Sequence, residues 1–373
     1  MRNTIKLFVV MLCVILSCCT VAAGPLVTLG RVPDGGIQPQ LITDGEGVVH
    51  LLYYRVGSSD SKRGHLYYRQ YKAEAEQWLE PVRVSTTAYR HAGAIGRASM
   101  ALDDRGNLHV SWFGLSPALY LYSRSDPRKR EFESERALLK VDLTEVEAAA
   151  ALAVDGDRIT LSWHAGALAT EANRSVYSMT SMDAGKTFSD AIQIGNAALG
   201  ACACCGLDAD YNADGELLVA YRSAVNGEGR HMQVLNEGDG ATRLIQSWNL
   251  NSCPVSTNYL SRDTKERNWL AFETEGSIYQ VLLAEQDVIP TKVRAAAGKT
   301  RQKHPAMAFN NSGQHVVVWG EAFGYVSGGE LKLQLFSSAR EPIASIETQG
   351  HTIPDHSFAA VTALGDGSFM VLY

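Results

Sequence analysis

The chain has 373 residues, 46% of them hydrophobic and 20% charged, enough apolar material for a substantial core. Its formal charge is −6 and no stripe of Lys and Arg runs along it, which argues against nucleic acid as a partner. In chain order the first element is a targeting segment. Arg2 and Lys6 precede an apolar run over 7–16, and Val21-Ala22-Ala23 suits cleavage before Gly24. Ile15-Leu16-Ser17-Cys18 supports a second reading, a bacterial lipoprotein signal with Cys18 lipidated. Residues 1–23 are therefore assigned to export and 24–373 to one mature domain. That domain is expected to be periplasmic, secreted or lipid-anchored, and to meet a membrane only through its N-terminal signal or lipid. The run is short for a span, and nothing later in the sequence approaches one.

From residue 44 onward one phrase returns seven times: a polar turn, mostly with glycine, then alternating apolar residues ending on an aromatic. Asp44-Gly45-Glu46-Gly47 leads to Tyr53, Asp104-Arg105-Gly106 to Trp112 and Asp155-Gly156 to Trp163. Asp214-Gly215 leads to Tyr221, Asn268 opens the run to Phe272, Asn311-Ser312-Gly313 leads to Trp319, and Gly365-Asp366-Gly367 to Tyr373. Strand-and-turn repeats of this length spell an all-β chain, a β-propeller. The count gives seven blades; the degenerate fifth repeat leaves six as the alternative. The sixth repeat splits into strands at 305–309, 314–319, 329–336 and 343–348, with 310–313 as the turn. The alanine-rich stretch 144–154 takes the place of a first strand. Because the last repeat ends on its second strand, residues 26–31 are expected to complete it.

Ser181-Met182-Asp183-Ala184-Gly185-Lys186-Thr187-Phe188 stands between the third and fourth strands of repeat three. It matches the Asp box, in which Ser181, Asp183 and Thr187 bond across a tight hairpin, Gly185 takes the left-handed position and Phe188 plugs the blade. Degraded copies stand at 123–132 and 68–78. With these motifs the mature chain resembles the sialidase, or BNR-repeat, superfamily of β-propellers. The resemblance implies binding or hydrolysis of glycans, with an arginine triad, a Tyr/Glu nucleophile pair and an acidic acid/base. The first arginine of that outfit is missing: Ile37-Gln38-Pro39 stands in its place, and Arg31-Val32-Pro33 comes too early. The remaining candidates are Arg97, Arg222, Tyr259, Glu273 and Glu321, from which no triad can be assembled.

Outside the signal segment four cysteines remain: Cys202, Cys204, Cys205 and Cys253. The pair of phrases Cys-x-Cys-Cys and Cys-Pro resembles a subset of exported sialidase-like proteins of unassigned activity. Counting back from the closing aromatics aligns Gln38, Arg97, Ala148, Gly206 and His304, with Cys253 of the Cys-Pro phrase taken as the equivalent in the irregular fifth repeat and His356 near the same position, as a ring at one mouth of the channel. Two readings stand. An even count in an oxidising compartment favours disulfides; thiolates with His304 would suit copper or zinc. His91, His164 and His231 lack ligand spacing. Two functional classes follow: a glycan-binding or glycan-cleaving propeller whose sugar or other small polar ligand sits at the channel mouth, and a non-hydrolytic or metal-dependent propeller using the cysteine–histidine rim.

Overall fold

The computed structural model describes residues 26–373 apart from 58–62, 116–118, 127–129, 140–144, 168, 285–287, 295–299, 325, 344–345 and 347. The targeting segment, Cys18 included, and part of the expected strand 343–348 lie outside the described residues. Each repeat folds into one antiparallel meander, giving seven sheets. Blade 1 runs Ile37–Thr43, Val49–Val56, Gly64–Lys72 and Gln77–Trp78; blade 3 runs Ala151–Asp155, Arg158–Ala165, Ser175–Ser181 and Ile192–Gln193. The first strands neighbour one another in a closed ring, so they line the axis and the later strands radiate outward. Closure comes as expected from the N-terminal strand Val27–Gly30, which pairs with Phe369–Leu372 in parallel register, Val27 opposite Phe369.

The repeated phrase has a physical reason at both ends. At its start, the side chains of Asp44, Asp103, Asn212, Asp263 and Asn310 each accept two backbone N–H groups, two and four residues on. Closing such a turn takes a left-handed residue, which Gly313 supplies at φ 75° in blade 6. At its end, the closing aromatics are buried, one in each of the seven apolar clusters between adjacent blades. Each wedges against the preceding blade: Trp163 of blade 3 packs with Tyr120 of blade 2 at 5.9 Å between ring centroids. The core is thus seven inter-blade layers, which is why the strands are apolar on both faces.

The Asp box forms its hairpin after Ser175–Ser181. Gly185 N–H donates to Ser181 Oγ at 2.8 Å, and Thr187 donates its N–H and hydroxyl to Asp183 at 2.9 and 2.7 Å. Phe188 packs edge-on against Tyr122 of blade 2 at 5.0 Å.

Candidate functional site

The segments leading into the first strands converge at one end of the axis, and several turn through left-handed backbone at residues other than glycine. Gln38, Val255, His304 and His356 have φ of 58°, 49°, 53° and 59°. At Gln38 and His304 the strand pairing also shifts register. Such conformations cost energy and collect at functional sites. They surround a cavity of about 660 Å³ whose wall includes Arg90, His91, Glu147, His304, Phe323 and His356.

Gln38, next to Ile37, where the sialidase pattern has arginine, ties this wall together. Its amide donates to Gly93 O at 3.0 Å and His356 O at 2.8 Å, and lies 3.3 Å from His91 Nδ1. Gly93 N–H also donates to that nitrogen at 3.0 Å, so the hydrogen-bond pattern assigns the proton of His91 to Nε2. Burial, then His356 and Arg90, lowers its pKa to about 4, so the ring is neutral. His304 has its Nδ1 3.1 Å from Thr257 Oγ1 and its ring edge-on to Phe323 at 4.5 Å. The residue lines the cavity, and its Nε2 is buried with no protein partner. Burial, with Lys303 and Arg97 adding to it, holds this imidazole well below its ordinary pKa. Glu147 is half-buried; desolvation raises its carboxyl against the opposing pull of Arg174.

The cysteines lie beneath this wall, since Ile95 and Val255 both line the cavity and pack against the sulfurs. Cys202, Cys204 and Cys205 sit on the linker between blades 3 and 4, Cys253 on the linker between blades 4 and 5. Cys204 and Cys253 are disulfide-bonded, whereas Cys202 and Cys205 are free thiols with sulfurs 3.3 Å apart. One of two expected bridges is therefore formed. All four sulfurs lie within 4.8 Å of one another, a group able to hold a metal ion; His304 is not part of it. Burial pushes the Cys205 thiol up, but Cys202, Arg222 and the Ser256 N–H outweigh it and bring it to about 7.

The other candidates divide into three places. Arg97 and Tyr259 meet at the axis, where Arg97 donates to Asn258 O at 2.9 Å and stands 5.8 Å from the Tyr259 and Phe358 rings. Asp208 joins them: burial raises its carboxyl to about 6 although Arg97 pulls it down. Arg222 donates to Arg230 O at 2.7 Å and to Glu273 O, joining blades 4 and 5 through backbone. Glu321 is held in blade 6, accepting from Thr300 Oγ1 at 2.9 Å. His164 and His231 bond to backbone, His164 Nε2 to Cys205 O at 2.8 Å and His231 Nδ1 to Trp248 N–H at 3.0 Å.

Two alignments are corrected by the strand register. Tyr259 pairs with Ala271, so Asn258 faces Phe272, and Thr257 rather than Cys253 stands where His304 does in the next blade. Ala151 pairs with Ser162, so Ala149 rather than Ala148 holds the ring position of blade 3. Arg90, Glu147 and Asp208 were not legible as site residues. Each lies off the counted position, although the acidic Glu147 interrupting an alanine-rich stretch was a usable signal.

No protein-family model and no curated protein matches the chain. Among solved structures it is similar to a Penicillium chrysogenum α-L-arabinanase complexed with arabinobiose, at 9% identity and TM-score 0.56, over 85% of this chain and 96% of that one. It is similar to a Fusarium graminearum α-L-arabinofuranosidase with arabinobiose at 11% identity and TM-score 0.53, over 76% and 88%. A Dyadobacter fermentans protein of unknown function gives 13% and 0.52, over 76% and 90%. At such identities the likeness establishes a shared propeller fold and does not single out the sialidase family.

Proposed function

We propose that this is an exported propeller that binds a glycan in the 660 Å³ cavity, with Glu147 as the proton donor should the bound sugar be cleaved. The observation that carries the reading is His304, buried on the cavity wall with an Nε2 that has no protein partner. A buried polar atom left so is costly unless a ligand completes it, and a sugar hydroxyl would. Phe323 beside it offers an apolar face, and desolvation shifts the Glu147 carboxyl upward, the direction a proton donor requires. Two of the similar structures hold arabinobiose, which makes a short pentose oligomer the first ligand to try; sialidase-type cleavage is the finer alternative. Titration calorimetry with arabinobiose and with sialyllactose tests this. His304→Gln should weaken the sugar that binds about tenfold or more, as expected for one lost hydrogen bond to a buried group. Glu147→Gln should keep binding and abolish any turnover. If neither sugar binds and neither variant alters a wider glycan screen, the reading falls.

A second reading is favoured by the four gathered sulfurs: a propeller that holds a soft metal ion, copper or zinc, in the linkers beneath the cavity.

A further inference from the structure

Resting on that second reading, we propose that the four cysteines, when reduced, hold one divalent d10 ion of the zinc class as a closed tetrathiolate, and that a shell of buried cations supplies its counter-charge. From Cys202 Sγ the other sulfurs lie at 3.3 Å (Cys205), 3.7 Å (Cys204) and 3.9 Å (Cys253). Four thiolates around an ion at the ordinary zinc–sulfur distance of ~2.3 Å stand about 3.8 Å apart, so the distances from Cys202 need little change, while Cys204 and Cys253, bonded here, must open from bonding distance once reduced.

Charge decides the class of ion. Arg174, Arg222, Arg230 and Lys303 are 0%, 4%, 4% and 7% exposed. Arg174 and Arg230 act electrostatically on Cys202, Arg222 and Lys303 on Cys205. Two carboxylates face the same sulfurs: Glu171, paired with Arg230 at 2.5 Å, and Glu273. Glu147 acts on Arg174 from the part-exposed cavity wall. Around the sulfurs, then, two buried positive charges exceed the negative ones, and Arg174 Nε and Arg230 Nη1 are buried without protein acceptors. Two neutral disulfides would leave that surplus uncompensated, which is expensive inside a protein. A divalent ion with four thiolates carries −2 and cancels it. A monovalent copper ion in the same cage would carry −3.

Loading takes two balanced steps. A dithiol reductant gives two electrons and two protons to the Cys204–Cys253 bond and leaves as its own disulfide. The ion then displaces four protons from four thiols. The ligand set clasps the linker before blade 4 to the linker before blade 5 and fixes Ile95 and Val255, the cavity wall above it.

The test titrates Co2+ into the reduced mature chain. One equivalent should give the visible spectrum of a tetrahedral thiolate site, displaced by Zn2+, lost in Cys253→Ser and unchanged in His304→Gln. Lys303→Met should weaken the ion at least tenfold and Lys303→Arg restore it, with folding checked by circular dichroism. No cobalt spectrum in a reduced wild-type chain that instead binds Cu+ would sink this inference and leave the second reading; binding of neither ion would sink both. A full spectrum whose affinity is indifferent to Lys303→Met would sink the charge shell alone.

Discussion

Asp183 and Asp208 carry the same carboxyl group into opposite situations. Asp183 stands on the outer hairpin of blade 3, open to water, and is held well below the ordinary carboxylate range by the Thr187 N–H and hydroxyl and the Ser181 hydroxyl. Asp208 stands at the axis, where burial lifts it to about 6 against the pull of Arg97. At the hairpin the donors come from within four residues and outweigh a smaller desolvation. At the axis the neighbours arrive from two other blades, Arg97 from blade 2 and Tyr259 from blade 5, and the group is partly desolvated to meet them. Local hydrogen bonding builds the scaffold; long-range convergence builds the site.

The largest expected effect tests whether the scaffold draws its stability from the inter-blade wedges rather than from hairpins such as that of Asp183. Trp163 is fully buried between blades 2 and 3, beside Tyr120 and Tyr177. Trp163→Ala should cost about 3–5 kcal/mol in urea unfolding, the usual range for emptying a large aromatic site. A loss below about 1 kcal/mol would mean that the wedges are not what holds the blades together.

Next comes the axis. Because the folded pKa of Asp208 lies above its unfolded value of 3.8, the group's contribution is complete below about pH 4 and is lost as pH rises through about 6. The fall is at most about 3 kcal/mol, reduced by screening since Asp208 keeps part of its surface accessible. Urea midpoints measured from pH 4 to 7 should show that decline in the wild-type chain and a flatter profile in Asp208→Asn, which keeps an acceptor for Leu260 N–H. Equal slopes would remove the distinction between the two aspartates.

What could be read in the sequence follows the same division. The seven aromatics, the Asp box and the closing strand were legible because each depends on residues adjacent in sequence or on a constant turn length. Counting back fourteen from an aromatic works in blades 4 and 6, where Leu207 and Pro305 stand opposite Tyr221 and Trp319. It fails by one in blade 3, whose first turn is the shorter Gly156-Asp157; in blade 5 it lands on Asn258, which does face Phe272, whereas Pro254 of the Cys-Pro phrase, taken as the equivalent place, is four residues off. The cysteines were still correctly brought together, because both linkers run beneath the same cavity. Glu147 and Arg90 escaped because nothing periodic marks a linker residue. His91 was set aside for lacking ligand spacing, yet its partners Gln38 and His356 are 53 residues before it in sequence and at the far end of the chain, a relation no local pattern encodes.

The smallest effect lies at the hairpin, and it should have the opposite sign in pH. The folded pKa of Asp183 is depressed, so its contribution is present above the unfolded value near 4 and is lost as pH falls below it. Asp183→Asn keeps an oxygen to accept the Thr187 N–H and loses only the charge and one acceptor, so the fold should survive with a small loss of stability at neutral pH, where the carboxylate's contribution is present. The acid side is where the slopes should differ: between pH 4 and pH 2 the wild-type urea midpoint should drop more steeply than that of Asp183→Asn, while from pH 5 to 7 the two curves run parallel. Arg124 and Arg136, which donate to the hairpin carbonyls of Ala184, Gly185 and Lys186, stay in place in both proteins. A gap that is constant from pH 5 to 7 and closes only in acid therefore belongs to the carboxylate. A variant that instead loses stability uniformly across pH would show that Asp183 acts as a hydrogen-bond acceptor whose charge is incidental, and the contrast with Asp208 would then be one of geometry alone.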